Sequence, residues 1–117
     1  MPGPCSAQSA PTRAYRGVRT PMVRGPDGHR PDFSHRFFAE DVPHGLVIAR
    51  GVAEIAGVAT PEIDRVLDWC QQIMGREYLV DGRMAGRDLA ESAAPQAFGI
   101  DDADALIASV LPALAGR

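Results

Sequence analysis

The chain has 117 residues, enough for one domain with a modest core, and its 45% apolar content is that of a globular protein rather than a disordered one. A net charge of −3 gives no overall polyanion-binding signature, and no apolar run is long enough to span a membrane. Cys5 and Cys70 lack a Cys or His at metal-ligand spacing, which argues against zinc.

The charge is unevenly placed. Residues 1–36 hold six arginines against Asp27 and Asp32, so the remainder is acidic. A basic arm could bind nucleic acid, but these arginines are scattered among Pro and Gly, with Tyr15 as the one stacking residue. Nucleic acid is therefore not an expected partner. The N-terminus has no apolar core of a secretory signal, and the expected location is the cytoplasm.

Residues 1–13, with Pro2, Pro4 and Pro11 among small polar residues, carry no periodicity and predict a disordered tail. Residues 14–35 predict an irregular connector of extended or loop structure. Pro21, Pro26 and Pro31 prevent a long helix, and Gly25-Pro26-Asp27-Gly28 is a turn signal.

The first helix is expected to begin at Asp41 or Val42. Asp41 is a good N-cap type, and Pro43 is tolerated where backbone N–H groups lack partners. The helix runs to Ala56, with Gly57 as its left-handed stop. Leu46, Val47, Ile48, Val52, Ala53 and Ile55 cover most of its circumference, which predicts a central, buried helix. Gly45 and Gly51 weaken it, and close approach of a neighbouring helix is the expected compensation.

The second helix has Thr60 as N-cap, Pro61 at its first position and Glu62 in its first turn. Ile63, Val66, Leu67, Cys70, Ile73 and Met74 recur at helical spacing, with Trp69 beside the stripe, and Gly75 ends it. The short link Gly57–Thr60 makes the two helices a helical hairpin. Cys70 reads as a buried free thiol.

Residues 76–100 are irregular, with a short strand or turn at Tyr78-Leu79-Val80 closed by Asp81-Gly82, and a brief helix near 86–90. The last helix starts near Asp101, with Asp101, Asp102 and Asp104 loading its N-terminus. Its apolar stripe is Leu106, Ile107, Val110, Leu111 and Leu114, and Pro112 should kink or end it. The elements predict an all-α fold: a helical hairpin plus a C-terminal helix, behind a long irregular N-terminal arm.

Four stretches carry a family resemblance: Arg36-Phe37-Phe38-Ala39-Glu40-Asp41-Val42-Pro43-His44-Gly45-Leu46; Ala53-Glu54-Ile55-Ala56-Gly57-Val58-Ala59-Thr60-Pro61; Ile63-Asp64; and Gly82-Arg83 with Pro95-Gln96. The segment from Ala14 to Ile100 resembles the C-terminal helical domain of the octopine/nopaline (opine) dehydrogenases, which is related to the 6-phosphogluconate dehydrogenase C-terminal-like fold. The Arg-aromatic-x-x-Glu-Asp-Val-Pro-x-Gly-Leu run is the specific part.

The resemblance implies an oxidoreductase that joins an amino acid to a 2-oxo acid, with NAD or NADP as cofactor on a separate Rossmann domain. It implies that Asp41 is the aspartate of a His–Asp pair and that Arg36 holds a substrate carboxylate. The histidine of that pair lies upstream in the family. His29, His35 and His44 do not occupy its position. No Gly-x-Gly-x-x-Gly loop occurs in these residues. The expectation is a tail, 1–13, and a partial helical substrate domain, 14–117, without the Rossmann domain. Such a piece would come from a truncated frame, a split gene or a degenerate copy.

The residues alone leave alternatives open. Asp41 could cap a helix, catalyse, or both. Arg36 could pair with Glu40, four residues on. Glu40 beside Asp41 is an acid pair or a solvated charge. Arg83 is a second anion contact or, as preferred, a structural tie. The competing function is a non-catalytic interaction or dimerisation module. Its expected partner is a Rossmann-domain chain or a second copy.

Overall fold

The computed structural model describes residues 16–17 and 19–115. The predicted tail with Cys5, and the connector residues Tyr15 and Val18, lie outside the described residues. Two compact units divide between Asp32 and Phe33.

In the first unit the connector is extended, as expected, but it pairs with itself. Strand β1 (Met22–Gly25) runs antiparallel to β2 (Gly28–Pro31), with Arg24 opposite His29. Pro26 and Asp27 form the two-residue loop, and Gly28 closes it at φ +122°. That backbone region favours glycine. Asp32 N–H donates to the Pro21 carbonyl at 3.0 Å, which extends the pairing by one step.

The second unit is mainly helical. Its elements are α1 (Arg36–Ala39), a π-helical turn (Val42–Leu46), α2 (Val47–Ala56) and α3 (Pro61–Met74), then β3 (Leu79–Val80), β4 (Arg83–Met84), 3-10 turns at Leu89–Glu91 and Pro95–Phe98, and α4 (Ala103–Ala115). Helices α2 and α3 form the predicted helical hairpin. Gly57, at φ 69°, ends α2 by donating to the Ala53 and Glu54 carbonyls, and Gly75, at φ 65°, ends α3. Asp81 and Gly82, at φ 50° and 74°, make the tight turn between β3 and β4.

The core is Val42, Val47, Leu67, Cys70, Tyr78, Leu79, Met84 and Ala94. It lies between the inner face of α2, the inner face of α3 and the 78–94 segment. The Gln71 side chain fastens that segment to α3: its Oε1 accepts from Tyr78 N–H and Leu79 N–H, both at 2.6 Å.

Several expectations are corrected. Helix α2 is not buried all round. Val47, Arg50 and Gly51 face inward, whereas Val52 is 39% exposed. Gly51 does meet a close neighbour, since an added Cβ would lie 3.2 Å from both Ala94 Cβ and Pro95 Cδ. Gly45 meets nothing within 4 Å, so the packing reason offered for it fails. Thr60 stands at the N-cap of α3 without capping it, because its hydroxyl donates to Asp64 Oδ1 at 3.1 Å.

Helix α4 starts at Ala103, with the Asp102 carboxylate accepting from Ala105 N–H at 2.8 Å. It passes through Pro112 to Ala115 rather than ending there. The carbonyl that Pro112 cannot serve belongs to exposed Ala108, where water can replace the missing donor. Its apolar stripe faces outward: Ile107, Val110 and Leu111 are each about half exposed.

Candidate functional site

Helical winding begins upstream of the predicted start. His35 is extended (φ −66°, ψ 151°), and its Nδ1 accepts from Phe37 N–H at 3.3 Å, which caps α1. Arg36 opens that helix and is exposed. The Glu40 N–H donates to the Arg36 carbonyl at 2.8 Å, and the His44 N–H to the Glu40 carbonyl at 2.9 Å.

Asp41 is therefore already inside a helical run (φ −68°, ψ −29°), and its carboxylate makes no capping bond. The N-cap role expected for it is taken, one element earlier, by His35. Pro43 has no N–H to give the Ala39 carbonyl, and its ring crowds that carbonyl. The run widens there to i→i+5 bonding: Leu46 N–H donates to the Asp41 carbonyl at 3.1 Å, and Val47 N–H to the Val42 carbonyl. Single π-turns of this kind occur often at functional sites. Ala93 N–H braces the turn by donating to the Pro43 carbonyl at 3.2 Å.

Glu40, Asp41 and His44 are exposed, and among the described residues neither Arg36 nor Asp41 has a side-chain ion pair. The Arg36–Glu40 pair does not form. A cleft of about 300 Å³ beside α1 is bounded by Phe33, Ser34, Ala39, Ile73, Met74 and Arg76. The fold brings Arg36 and Asp41 onto one exposed helical run; it does not put them in the wall of that cleft. Phe33 packs edge-on against Phe38 and Trp69, with centroids 5.1 and 5.7 Å away.

The strongest polar constellation lies elsewhere. Arg50 is 7% exposed, in the middle of α2. Its Nε donates to Asp64 Oδ1 at 2.5 Å, and its Nη2 donates to the Gly82 carbonyl at 2.9 Å. Glu54, one turn on, lies 3.9 Å from Nη1 and accepts from Met84 N–H at 3.2 Å. Gln96 Nε2 donates to the Gly51 carbonyl at 2.8 Å and to Glu54 at 3.4 Å. Four of the residues that carried the family resemblance, Glu54, Asp64, Gly82 and Gln96, thus converge on Arg50 and its helix.

Sequence reasoning passed over Arg50. The available signal was a lone cation in an apolar helix, with a carboxylate four residues on. The structural tie expected of Arg83 is made by the Gly82 carbonyl instead, and Arg83 itself is exposed.

Burial pushes the Cys70 thiol above its ordinary range. The Tyr78 phenol is also raised, first by burial and further by Glu91 and Asp88, against a lowering by Arg76. Among the described residues no helix is long and apolar enough to cross a membrane, and no group of three or more His, Cys, Asp or Glu could hold a metal ion.

Residues 6–74 match the family described as NAD/NADP octopine/nopaline dehydrogenase, alpha-helical domain. The chain belongs to this family. It is 44% identical over 94 residues to tauropine dehydrogenase of Arabella iricolor, covering 80% of this chain and 24% of that one. It is 45% identical over 95 residues to opine dehydrogenase of Haliotis discus hannai, again covering 80% and 24%. Octopine dehydrogenase solved with NADH and pyruvate superposes at a TM-score of 0.74, with 40% identity, over 81% of this chain and 24% of that one. Octopine dehydrogenase in complex with NADH and agmatine gives 0.73, with 41% identity, over 80% and 23%.

The chain thus spans about a quarter of the length of the opine dehydrogenases it matches. A dinucleotide site of the usual kind needs a strand feeding a helix through a Gly-rich turn. Among the described residues the strands form two short hairpins, and neither leads into a helix that way. The described residues do not build that site.

Proposed function

We propose that this opine dehydrogenase segment supplies substrate-domain groups for the reductive condensation of an amino acid with a 2-oxo acid. In this reading Arg36 presents its planar fork of donors to a substrate carboxylate. The Asp41 carboxylate accepts from a histidine and stabilises the imidazolium formed during proton transfer. In this reading that histidine and the NAD or NADP site belong to other residues.

One observation carries the reading. Asp41 sits at the mouth of a π-turn with its carboxylate spent on no cap and no ion pair among the described residues. A carboxylate of capping type that caps nothing is free for another task. The Arg50 network and the Ala93 brace hold the helix behind it, which supports a fixed rather than a wandering position.

The test is complementation. An octopine dehydrogenase deleted for the matched quarter is mixed with this chain, and NADH oxidation is followed with pyruvate and amino acids. Restored turnover is expected, with a fall of about a hundredfold in Asp41→Asn, the low end for a lost acid–base group. Failure to restore any activity, or full activity in Asp41→Ala, overturns the proposal.

A second reading, a non-catalytic association module, is favoured by one feature. Leu106, Ile107, Val110 and Leu111 of α4 line an apolar groove of about 260 Å³ on the outside of the helix. Sedimentation of the purified chain tests it, and a clean, folded monomer removes its motive.

A further inference from the structure

We propose that Ser92 is a positioning residue: its buried hydroxyl shapes the corner from which Ala93 holds the π-turn that carries Asp41. The hold on the turn stands on geometry alone. Its consequence for turnover rests on the proposed role of Asp41.

The π-turn creates the need. In ordinary winding the Val47 N–H would serve the Pro43 carbonyl, four residues back. Here it is spent on the Val42 carbonyl, five back. The Pro43 carbonyl thereby loses its donor within the helix. Pro43 is buried, where an unpaired carbonyl is costly because water does not replace the missing partner. The replacement comes from another segment, as the Ala93 N–H at 3.2 Å.

Ser92 makes that donor available. It is 5% exposed and extended (φ −93°, ψ 171°), just after the Leu89–Glu91 turn. Its N–H and its hydroxyl both donate to the Leu89 carbonyl, at 3.0 and 2.7 Å, and its Oγ accepts from Ala94 N–H at 3.2 Å. The N–H groups of Ser92 and Ala94 are thus held within the corner, and the one between them is left for Pro43. Ala94, fully buried, seats against Gly51, and Gln96 fastens the same segment to the Gly51 carbonyl at 2.8 Å. The corner therefore grips the helical run at two points, and the first of them is the π-turn.

Phe38 packs on the core before this turn, and Val47 lies in the core after it. The extra residue of the wider turn is absorbed between these anchors, in the stretch that carries Asp41. Without the brace, five-residue bonds there can exchange for four-residue ones, and Asp41 loses a single fixed orientation. Arg36 lies on the far side of Phe38 and keeps its place.

The test reads exchange of the Leu46 and Val47 amide protons, whose bonds define the π-turn, by nuclear magnetic resonance of the full chain. Ser92→Ala should speed both about fivefold, the contribution of one intramolecular hydrogen bond, and leave the Leu79 amide, held by Gln71, unchanged. Ala93→Pro removes the donor itself and should have at least as large an effect; Ser92 already has the extended backbone that a following proline requires. In the complementation assay Ser92→Ala should lower kcat by up to about fivefold with the KM for pyruvate unmoved. Unchanged exchange at Leu46 and Val47, or an equal rise at Leu79, overturns the proposal. Faster exchange with unchanged kcat, in an assay where Asp41→Asn loses activity, overturns the positioning role. Failure of the wild-type chain to complement counts against the role of Asp41 instead, and the exchange rates still judge the brace. If either variant fails to fold, the other decides.

Discussion

Arg50 and Asp64, 14 residues apart in sequence, meet at 2.5 Å across the helical hairpin. This contact locks α2 to α3, and the same guanidinium reaches the Gly82 carbonyl beyond them. Removing Arg50 leaves a carboxylate and a carbonyl facing a void. Breaking a fully buried pair costs about 3–5 kcal/mol. The Asp64 side chain is 31% exposed, so water recovers part of that loss. Arg50→Met should therefore destabilise the fold by about 2 kcal/mol. Urea unfolding followed by Trp69 fluorescence measures it, and a change within 0.5 kcal/mol would show that the pair is ornamental.

Three glycines should respond differently to alanine. At Gly86 an added Cβ would collide with the Glu77 backbone at 2.1 Å, and backbone cannot move aside cheaply. Gly86→Ala should cost about 3 kcal/mol, the upper end for overpacking. At Gly51 the clash is first with the Gln96 amide tip at 2.4 Å, which can shift only by giving up its bond to the Gly51 carbonyl, so a loss of about 1–2 kcal/mol is expected. Gly45 has open space, and Gly45→Ala should stabilise by about 0.5–1 kcal/mol. Denaturation midpoints of the three variants check the order.

Two aspartates of helix-capping type should also part company. Asp102 accepts from Ala105 N–H, so Asp102→Ala should weaken the start of α4 by about 1 kcal/mol. Asp41 caps nothing, and Asp41→Ala should change stability by less than about 0.5 kcal/mol, as an exposed surface change does. Amide exchange at Ala105 and thermal unfolding of both variants compare them. A large loss in Asp41→Ala would assign that residue a structural role.

The alkaline limb of stability follows from Cys70 and Tyr78. Both are acids whose folded-state pKa is raised above the ordinary values of 9.0 and 10.0, by burial first in each case. Below the ordinary values both states hold the proton, and the stabilisation is fully present. Above them the unfolded chain releases protons that the folded chain retains, so stability falls as pH rises. Urea midpoints should be flat from pH 7 to 8 and fall from about pH 9 upward, and Tyr78→Phe should flatten the part above pH 10. A midpoint that does not move between pH 8 and 10.5 contradicts this.

Local chemistry made much of the fold legible. Gly57 and Gly75 stop helices by reaching a left-handed backbone that other residues avoid, and Pro61 suits a first turn wherever it occurs. Asp81-Gly82 announces its own turn. Each of these depends on a few neighbouring residues. The Asp41 cap failed because capping depends on where winding begins. An imidazole six residues upstream began it first, and Pro43 then forced the run wider.

Local patterning was enough for the three longer helices, the glycine stops of the first two and the family to which the chain belongs. Which groups are spent and which are free was settled by packing between segments distant in the chain. Arg50 became a buried anchor because the hairpin brought Asp64 beside it and the β3–β4 turn brought Gly82, contacts separated by 14 and 32 residues. Arg36 and Asp41 were left exposed, without a side-chain ion pair among the described residues. Charge and periodicity are properties of a stretch, whereas burial and partnership belong to the whole chain.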